Sequence, residues 1–488
     1  MSNALHEASR AWRSALGEAH VVTDPAALAA AATATFATNF SIPAILRPAD
    51  TTQVAAVLRI ASRYRVPLYP VSRGRNWGFG SRVPAAEGCA LLDLSRMDRI
   101  VELNDRLAYA VIEPGVSFRQ LHAFLRRHNA RCFMPNMGGP SDASVIGNTL
   151  ERGDAASHYG DRPAHVCNFE AVLADGTIMR TGYGRFPNAA AAHTGRYGVG
   201  PELDGLFFQS NFGVVTRMTA WLQPIPEAVG RFVGRLAGTG SLEAFIEALR
   251  PLALHEVLRP NEIGIWNTVK LLALQGPRPA PMPDTASWHF GGALYSASEQ
   301  LAAAGLLQAS RSLRPASTEW SASLLAGAAL DASIGEIGKP SDQNVGSLYW
   351  RKSSRPRESD FDPGHDRCGA LWLCPEFPLE GAPVCEAMAE IEALVAHHGF
   401  EPNIGLVLAG PRSIRVYVAL MYDRDVAGED ERALACHDAL LEAMLRRGAY
   451  PYRLGLQSMR AFPRAFPALQ AIKQALDPHR IIAPGRYD

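Results

Sequence analysis

Residues 70–84 read PVSRGRNWGFGSRVP, and this short stretch decides the fold. It places three glycines between two apolar runs, VPLYPVS at 66–72 and CALLDLSRM at 89–97. Each run predicts a short buried strand, so the loop joins strand to strand. Because no helix follows the glycines, the stretch does not fit the dinucleotide fingerprint in which a helix N-terminus receives the pyrophosphate.

A glycine loop without a helix can still bind an anion. Glycine adopts backbone torsions that turn successive N–H groups to one side, and these groups form a positive concavity. Gly74, Gly78 and Gly80 are the candidate donors, while Arg75 either assists them or faces solvent. An ordinary tight connection fits the glycine content equally well, so the neighbouring segments have to decide.

A second glycine-rich loop covers residues 135–162, PNMGGPSDASVIGNTLERGDAASHYGDR. It is too rich in glycine for a packed element and too long for a plain connection, and long loops of this kind commonly bind a ligand. A helix is predicted shortly before it, because Ser117 and Gln120 form a capping box. The loop is therefore a second candidate binding segment.

The other segments of this half alternate between helix and strand. Residues 49–65 predict a helix that begins at Thr51 or Thr52. Residues 169–182 predict a hairpin around the Asp-Gly pair of the sequence LADGTI. Residues 203–224 predict a short apolar helix that runs into a strand.

Length and composition favour two packed units in a reducing compartment. The chain has 488 residues, 47% hydrophobic and 20% charged, with 48 basic and 48 acidic residues. This balance gives no overall field for nucleic acid or an anionic membrane, so the predicted partner is a small molecule. Seven cysteines without CxxC spacing argue against a disulfide framework and a structural metal site. Without an apolar leader or a membrane-spanning run, the sequence predicts a soluble cytoplasmic protein that binds no metal.

Eight motifs together resemble one family. In chain order they are PVSRGRNWGFG, DLSRMDRIVELN, VIEPGVSFRQLH, VIGNTLERG, YGDR, EAVLADGTIMRTG, DGLFFQSNFGVVT and ALDPHRIIAPGRY. In these motifs the chain resembles the FAD-dependent vanillyl-alcohol oxidase and p-cresol methylhydroxylase flavoproteins. The motifs span most of residues 45–225 and the C-terminal tail, and they are specific only in combination.

The resemblance implies an α+β fold of two domains, which are a p-cresol methylhydroxylase-type FAD-binding domain and an inserted cap domain. The FAD-binding domain would be discontinuous, built from residues 1–225 and 447–488, with the cap at 226–446. The cap sequence fits an antiparallel sheet with helices, because helical stretches such as 384–399 alternate with β-like runs such as 413–423.

The resemblance also assigns contacts with FAD. The first loop would wrap the pyrophosphate with its amides, and the GN and ERG residues of the second loop would lie close to the flavin. The predicted cofactor-binding residues are Ser72, Arg73, Gly74, Arg75, Asn76, Trp77, Gly80, Ser81, Pro135, Gly138, Gly139, Ser144, Val145, Gly147, Asn148, Glu151, Arg152, Gly153, Tyr159, Gly160, Gly213, Val214, Val215 and Arg486.

The related phenol oxidases imply a Tyr-Arg pair at the reacting end, where a hydride would pass from a substrate carbon to flavin N5. The segment AYPYRLGL at 449–456 supplies Tyr452 and Arg453. Their hydroxyl and guanidinium groups can hold a substrate phenolate or the reduced flavin. A structural pair that packs the C-terminal segment is the alternative.

Three positions depart from the phenol-oxidising pattern. Phe79 and Ala156 stand where those relatives have tyrosines, and Asn136 stands roughly where a carboxylate assists the reaction. The loss of two hydroxyl donors predicts a less polar and roomier pocket. Phe79 and Asn136 join Tyr452 and Arg453 as predicted catalytic-site residues.

The catalytic base stays open. An asparagine amide cannot take up a proton at working pH, so Asn136 itself does not serve as the base. The alternative bases are Asp142, Glu151, Asp154, Asp161 and His158.

The resemblance predicts FAD that is not covalently attached. In RCGALWLCPEFPLEG at 367–381, Ala370 occupies the position of the residue that would bond to the flavin, and His365 is out of register. Asn76 likewise stands where other flavoproteins of this fold carry a linking histidine.

Several functions follow from these residues. The leading prediction is an FAD-dependent oxidase or dehydrogenase of a small aromatic, phenolic or hydroxylated substrate. The alternatives are a biosynthetic flavin oxidase for a bulkier non-phenolic substrate, and a flavoprotein subunit that passes electrons to a cytochrome. A non-enzymatic interaction module would leave two long glycine loops unexplained. Oxygen or a cytochrome would accept the electrons, and the resemblance suggests a homodimer.

Overall fold

The computed structural model describes residues 3–462 and 466–487. Its helices are α1 Asn3–Leu16, α2 Pro25–Ala31, α3 Thr51–Tyr64, α4 Phe118–Arg127, α5 Val145–Leu150, α6 Thr239–Leu254, α7 Thr268–Gln275, α8 Glu299–Leu313, α9 Gly327–Asp331, α10 Gly381–His397, α11 Glu429–Arg446 and α12 Pro467–Leu476. Its strands are β1 Val21–Val22, β2 Ile45–Leu46, β3 Leu68–Val71, β4 Ala90–Asp93, β5 Ile100–Asn104, β6 Tyr109–Ile112, β7 Cys132–Phe133, β8 Val166–Val172, β9 Ile178–Arg180, β10 Val214–Trp221, β11 Gln223–Pro224, β12 Ala228–Leu236, β13 Ile263–Asn267, β14 Trp288–Ser296, β15 Glu319–Ala326, β16 Cys368–Leu373, β17 Glu376–Pro378, β18 Asn403–Gly410 and β19 Ser413–Asp423. In these two ranges, no helix combines the length and the apolar character that a bilayer crossing requires.

The first sheet has the strand order β1-β2-β4-β3, and β2, β4 and β3 run parallel. The first glycine loop connects β3 to β4, as the sequence predicts. The C-terminal segment returns to the free edge of β3. There the Leu68 amide donates to the Ile481 carbonyl and the Ala483 amide donates to the Leu68 carbonyl, both at 2.7 Å. Residues from both ends of the chain therefore build one layer.

A buried ion pair holds this C-terminal return in place. Lys473 Nζ lies 2.7 Å from Asp477 Oδ2, and both side chains are almost fully buried. The Asp477 carboxylate also accepts the amides of Ile481 and Ile482 at 3.0 and 2.9 Å. The pair thus sets the path of the residues that bond to β3.

The second sheet is antiparallel, in the order β5-β6-β10-β8-β9, and it shares an apolar core with α4 and α5. Ser117 caps α4 by accepting the Gln120 amide at 3.1 Å. The Gln120 side chain donates to the Asp98 carbonyl at 2.7 Å, so the predicted capping box is half formed. The second glycine loop leaves this layer between α4 and β8.

The third sheet has eight antiparallel strands between Ala228 and Asp423, in the order β15-β12-β14-β13-β18-β19-β16, with β17 beside β19. The helices α6, α8, α10 and α11 contribute to an apolar core with one of its faces. Strand registers place the other face toward the two glycine loops, which makes this sheet the cap over them.

The structure corrects three local expectations. Helix α3 is capped by Asp50, whose carboxylate accepts the Gln53 amide at 2.8 Å, and not by a threonine. The second loop contains the short helix α5, because the Ser144 hydroxyl accepts the Gly147 amide at 2.9 Å. Asp204–Phe207 form a 3-10 turn and not an α-helix, because the chain is already extended at the next residue.

Candidate active site

A cavity of about 880 Å³ lies between the two glycine loops and the cap sheet. Its volume is at the upper end of the ~300–1,000 Å³ that ligand sites occupy. The predicted catalytic-site residues Phe79, Asn136, Tyr452 and Arg453 line it. The predicted cofactor residues in its wall are Ser72, Arg73, Gly74, Arg75, Asn76, Trp77, Ser81, Gly138, Gly139, Ser144, Gly147, Asn148, Glu151, Gly153, Gly213, Val214, Val215 and Arg486.

The first glycine loop has the geometry of an anion-binding concavity. Gly74, Gly78 and Gly80 have φ values of 68°, 79° and 117°, which a residue with a side chain rarely adopts. The Gly78 amide donates to Thr35 Oγ1 at 2.8 Å. Across the described parts of the chain, the amides of residues 73–77 have no hydrogen-bond partner. These open amides fit phosphate oxygens, which accept several N–H groups at once.

Asp142 of the second loop holds both arginines of the first loop. Arg73 donates through Nε to the Asp142 carbonyl at 2.7 Å and pairs with its carboxylate. Arg75 Nε lies 3.5 Å from the same carboxylate, and its guanidinium carbon lies 5.6 Å from the centre of the Trp77 ring. The arginines therefore connect the loops, and the amides are the groups left to bind an anion.

Glu151 joins two arginines at the end of the cavity. Arg453 Nε lies 3.5 Å from its carboxylate, and Arg486 forms a direct ion pair with it. Arg453 also donates to Asn76 Oδ1 at 2.6 Å, and Arg486 donates to Tyr69 Oη at 2.7 Å. Burial alone would raise the pKa of Glu151, but the two guanidinium groups lower it. Two cations and one anion give this buried group a net positive charge.

The departures from the phenol-oxidising pattern lie around the same cavity. The guanidinium carbon of Arg453 lies 4.4 Å from the centre of the Phe79 ring, so Phe79 supports the arginine. Asn136 Nδ2 donates to the Lys339 carbonyl at 3.2 Å, which turns this amide toward the cap. The Ala156 amide donates to the Asn136 carbonyl at 3.3 Å.

Arg415 and Tyr417 on β19 lie beside Tyr452, and the sequence analysis missed both. Arg415 Nη1 lies 3.2 Å from Asp154 Oδ2, and Arg415 Nη2 lies 3.0 Å from Glu376 Oε2. Tyr417 donates a short hydrogen bond to the same Asp154 oxygen. The guanidinium carbon of Arg415 lies 3.6 Å from the centre of the Tyr452 ring. We call Asp154, Arg415, Tyr417 and Tyr452 the reacting cluster.

The strand pattern carried a signal for the two missed residues. In SIRVYVALMYD, Arg415 and Tyr417 alternate with Val416 and Val418, whose side chains are fully buried. Side chains of a strand point alternately to its two faces. An arginine and a tyrosine on the face opposite the core indicate a polar cavity there.

Burial and charge keep both tyrosines of the cluster protonated. Burial, and after it the Asp154 carboxylate, raises the pKa of Tyr417 well above its usual value. The same two causes raise the pKa of Tyr452. Burial lowers the pKa of Arg415, but the nearby tyrosines and carboxylates raise it by more. The cluster therefore presents phenolic hydroxyls beside a fixed cation, which can hold a hydroxyl or phenolate oxygen.

Among the alternative bases, Asp154 is the one that belongs to the reacting cluster. Glu151 lines the cavity and Asp142 lies outside its wall, and both carboxylates are held by arginines. His158 pairs with a buried glutamate of the cap, and neither His158 nor Asp161 lines the described cavity wall.

Lys270, in the first turn of α7, brings an ammonium group into the cavity wall. Its Nζ lies 3.5 Å from Asn403 Oδ1 and 5.2 Å from the centre of the Trp372 ring. Burial lowers the pKa of Lys270 to about 8, and the ionisable neighbour that acts on it is the Cys374 thiol. Over residues 3–462 and 466–487, no carboxylate lies within ion-pair distance of Lys270. The sequence held no signal for this residue, because a lysine near a helix start is ordinary on a protein surface.

On the face of the cap sheet that lines the cavity, glycines leave space because they have no side chain. Gly405 pairs with Trp266 on one side and with Tyr417 on the other. A Cβ atom on Gly405 would lie 3.0 Å from Lys270 Cε, and one on Gly264 would lie 2.5 Å from Trp266 Cζ2. The glycines therefore leave room for the lysine stem and the indole ring to lie against the sheet.

The other predicted cofactor residues lie outside the cavity wall; they are Gly80, Pro135, Val145, Arg152, Tyr159 and Gly160. Gly80 packs against Leu456, whose Cβ would be 2.8 Å from a Cβ on the glycine. Val145 is fully buried in the core of the second sheet. The Tyr159 ring stacks on His165 with 4.2 Å between ring centres.

Ala370, at the predicted link position, is buried in the cap core. Its amide donates to the Thr35 carbonyl at 2.8 Å, and its carbonyl accepts from Thr35 Oγ1 at 3.2 Å. The side chain of His365 is 85% exposed, far from the burial that a flavin link requires. The methyl group of Ala370 offers no atom that could bond to a flavin.

The donors of the cavity fit a flavin dinucleotide. The open amides of residues 73–77 suit its pyrophosphate, and the net positive charge around Glu151 suits an electron-rich ring. Ser81 Oγ and Arg453 Nε are buried without a hydrogen-bond partner among the described residues. Because an unpaired buried donor costs ~1–3 kcal/mol, a polar ligand that pairs with them stabilises the site.

Known proteins resemble this chain in sequence and in fold. The family described as FAD binding domain matches residues 42–182. The chain is 41% identical to the 1'-carboxy-chondrochloren decarboxylase of Chondromyces crocatus, over 99% of this chain and 97% of that protein. It is 27% identical to the flavoprotein subunit of the hydroxylating 4-cresol dehydrogenase of Pseudomonas putida, over 89% of this chain and 85% of that protein. The crystal structure of p-cresol methylhydroxylase with substrate bound matches with a TM-score of 0.89 at 25% identity, over 100% of this chain and 97% of that chain.

These matches confirm the α+β two-domain architecture and the family resemblance. They also confirm FAD as the cofactor and an oxidoreductase as the kind of enzyme. The chain therefore belongs to the p-cresol methylhydroxylase-type family of FAD-linked oxidoreductases.

Proposed function

We propose that this enzyme oxidises a hydroxylated aromatic substrate at the carbon attached to the ring, and that the reacting cluster holds the hydroxyl oxygen. The observation that carries the proposal is the joint contact of Tyr417 and Arg415 with Asp154, beside the Tyr452 ring. FAD, when bound, supplies the two-electron acceptor that takes up the hydride. The substrate hydroxyl has to ionise so that its electrons can stabilise the carbon that loses the hydride. Donors fixed around the oxygen stabilise the negative charge that develops on it during ionisation.

The two glycine loops would hold the cofactor. In this proposal the amides of residues 73–77 bind the pyrophosphate, and Arg453 and Arg486 lie against the flavin end. The net positive charge that they form with Glu151 stabilises an anionic ring. Arg73 and Arg75 support cofactor binding indirectly, because their ion pairs with Asp142 hold the two glycine loops together.

Tyr417 and Asp154 form a path for the hydroxyl proton of the substrate. As that hydroxyl ionises, its proton passes to Tyr417 Oη while the Tyr417 proton passes to the Asp154 carboxylate. Arg415 lies 3.2 Å from this carboxylate and fixes its position beside Tyr417. The path replaces the carboxylate expected at Asn136, whose amide is turned toward the cap.

The shape of the cavity supports a substrate larger than a simple alkylphenol. Its wall continues from the reacting cluster along the glycine-thinned face of the cap to Val233 and Tyr295. The cavity therefore supports the bulkier substrate of the biosynthetic alternative, whereas the proposal differs from that alternative in placing an aromatic hydroxyl at Tyr417.

Anaerobic mixing of the FAD-loaded enzyme with 4-ethylphenol and with 1-butanol tests the proposal. The phenol is expected to bleach the flavin and the alcohol to leave it oxidised. Tyr452→Phe is expected to slow bleaching by about 10- to 100-fold, because one donor to the developing charge is lost. Bleaching by the alcohol and none by a series of 4-alkylphenols would contradict the proposal.

A second candidate couples hydride removal to decarboxylation. It is favoured by the 41% identity to a protein named as the decarboxylase of a carboxylated compound. In this reaction a substrate carbon loses a hydride, and the bond from the next carbon to its carboxylate breaks. The electron pair of that bond forms the new carbon–carbon double bond, and carbon dioxide leaves.

The compound 3-(4-hydroxyphenyl)propanoate separates the two candidates. Decarboxylative oxidation converts it to 4-vinylphenol and one carbon dioxide for each flavin reduced. Simple oxidation retains the carboxylate in the product. The measurement is the amount of labelled carbon dioxide released from the carboxyl-labelled compound for each flavin reduced. Decarboxylative oxidation gives a ratio of about one, and simple oxidation gives none.

The remaining features belong to the same proposal. FAD is held without a covalent bond, because Ala370 offers no linking atom, so acid precipitation should release all of the flavin. The enzyme works in the cytoplasm as a homodimer, and oxygen or a cytochrome accepts the electrons. The buried, unpaired state of all seven cysteines supports a reducing compartment. Hydrogen peroxide formed in air with substrate would identify oxygen as the acceptor.

A further inference from the structure

We infer that Lys270 binds a carboxylate group of the substrate. The inference rests on the proposed function, because it assigns the cavity to the molecule that is oxidised. It starts from the position of the ammonium group in the cavity wall, between Asn403 and the Trp372 ring.

Lys270 differs from the other cations near the reacting end. Arg415 is neutralised by Asp154 and Glu376, at 3.2 and 3.0 Å. Arg453 is held by a glutamate as well. Lys270 has the Asn403 amide oxygen and the Trp372 ring beside it, and in the described residues no carboxylate faces it. A cation in such surroundings loses hydration, and an anion in contact with it offsets that loss.

The cap sheet puts Lys270 within reach of a molecule bound at the reacting cluster. Trp266, Gly405 and Tyr417 stand side by side on adjacent strands, on the face that lines the cavity. The stem of Lys270 occupies the space in front of Gly405, where a Cβ atom would lie 3.0 Å from Lys270 Cε. The lysine therefore neighbours Tyr417 across one residue without a side chain. One substrate can place a hydroxyl at Tyr417 and an anionic group at Lys270.

The surroundings of the ammonium group favour a carboxylate over a phosphate. Lysine acts as a single compact charge, and Asn403 is the polar side chain beside it. A doubly charged phosphate needs several donors, as the open amides of the first glycine loop provide. A carboxylate carries one charge and needs few donors, which matches one lysine beside an indole ring.

The test compares 4-hydroxybenzoate with 4-hydroxybenzamide as ligands of the FAD-loaded enzyme. Neither compound has a hydrogen on the carbon attached to the ring, so binding is measured without turnover, from the change in flavin absorbance. Wild type is expected to bind the carboxylate more tightly than the amide. In Lys270→Met the carboxylate should lose about 10- to 100-fold in affinity, while the amide changes by less than about two-fold.

Two further variants control the measurement. Lys339→Met removes a positive charge from an exposed lysine that pairs with Glu336, and it should leave both affinities unchanged. Gly405→Ala keeps the charge but displaces the lysine stem, and it should weaken the carboxylate selectively. If Lys270→Met does not fold, Gly405→Ala still tests whether the position of the lysine determines carboxylate binding.

Three results would overturn the inference. They are equal affinity of wild type for carboxylate and amide, equal losses for both ligands in Lys270→Met, and loss of FAD from that variant, which would assign the lysine to the cofactor. The proposed function is judged separately, by whether 4-ethylphenol bleaches the wild-type flavin. A failure of one idea therefore leaves the other in place.

Discussion

The guanidinium carbon of Arg415 lies 3.6 Å from the centre of the Tyr452 ring, closer than in any other arginine–aromatic contact of the described residues. The same guanidinium binds Asp154 and Glu376. Arg415 thus fixes the tyrosine ring and neutralises the carboxylates in one place.

Replacement of Arg415 is expected to impair catalysis more than binding of FAD. Arg415→Met leaves two carboxylates without their cation and frees the Tyr452 ring, so the rate of flavin reduction should fall by about 100- to 1,000-fold. Arg415→Lys keeps a charge but loses the planar contact, and an intermediate rate is expected. Stopped-flow absorbance with 4-ethylphenol measures both, and an unchanged rate in Arg415→Met would remove the cluster from the mechanism.

Tyr417→Phe and Asp154→Asn should each slow flavin reduction by about 100-fold or more, because each breaks the same proton path. Since the two residues act as one unit, the double variant should be no slower than the slower single variant. If the fold-reductions of the two single variants multiplied in the double variant, the residues would act independently. Unchanged FAD content in all three proteins is the control.

Glu151→Gln should destabilise the holoenzyme, because Arg453 and Arg486 then face each other without an anion. Removing one partner of a buried ion pair costs about 3–5 kcal/mol. The pKa of Glu151 is lowered in the folded protein, so its stabilisation is present above the unfolded pKa of about 4.3 and is lost as the pH falls through the lower folded value.

The difference in thermal midpoint between wild type and Glu151→Gln should therefore shrink as the pH falls below about 4.3. Glu336→Gln, on an exposed ion pair, serves as the control and should show no difference at any pH. If the difference in thermal midpoint stayed constant from neutral to acid pH, the negative charge of Glu151 would not be the source of the stabilisation.

Binding of 4-hydroxybenzoate should weaken as the pH rises past the pKa of Lys270, which is about 8. Because the neutral amine no longer pairs with a carboxylate, Kd should rise roughly ten-fold per pH unit above that value. Asn403 and Trp372 beside the ammonium group do not titrate, and burial raises the pKa of the Cys374 thiol to about 12. The phenol of the ligand, with a pKa of about 10, limits the range to below about pH 9. A flat profile in wild type, equal to that of Lys270→Met, would contradict this assignment.

Gly291→Ala tests the size of the chamber. A Cβ atom there would lie 3.4 Å from Trp266 and 3.5 Å from Val233, which is ordinary contact. The fold should therefore be kept, while substrates with a bulky remote part lose affinity and 4-ethylphenol does not. If Gly291→Ala changed the affinity for small and bulky substrates equally, the remote part of the substrate would not bind beside Gly291.

Glycines and turn residues made the cofactor half of the fold predictable. The short strands β3 and β4 and the glycine loop between them follow from local sequence, because the φ values of this loop require glycine. The helix α5 was missed because its six residues lie within a loop rich in glycine, where only a serine hydroxyl and two buried apolar side chains hold it.

The substrate half of the site was less predictable, because long-range strand pairing creates it. Tyr452 and Arg453 were named from a motif, whereas Arg415, Tyr417 and Lys270 were not. Lys270 approaches the strand that carries Arg415 and Tyr417 because Gly405 pairs with Tyr417 and makes room for the lysine stem. No local sequence pattern predicts which strands pair or which lysine faces a cavity as a result.

The contact between Asn76 and Arg453 joins positions that are 377 residues apart in the sequence. During synthesis at ~5–20 residues per second, roughly 20 to 75 s pass between the emergence of these two residues from the ribosome. In the proposed site, the nascent chain carries the open amides of residues 73–77 for that interval without the arginine assigned to the flavin end. We therefore expect stable loading of the coenzyme to be a late event, in which flavin supply acts on the finished polypeptide more than on its growing form.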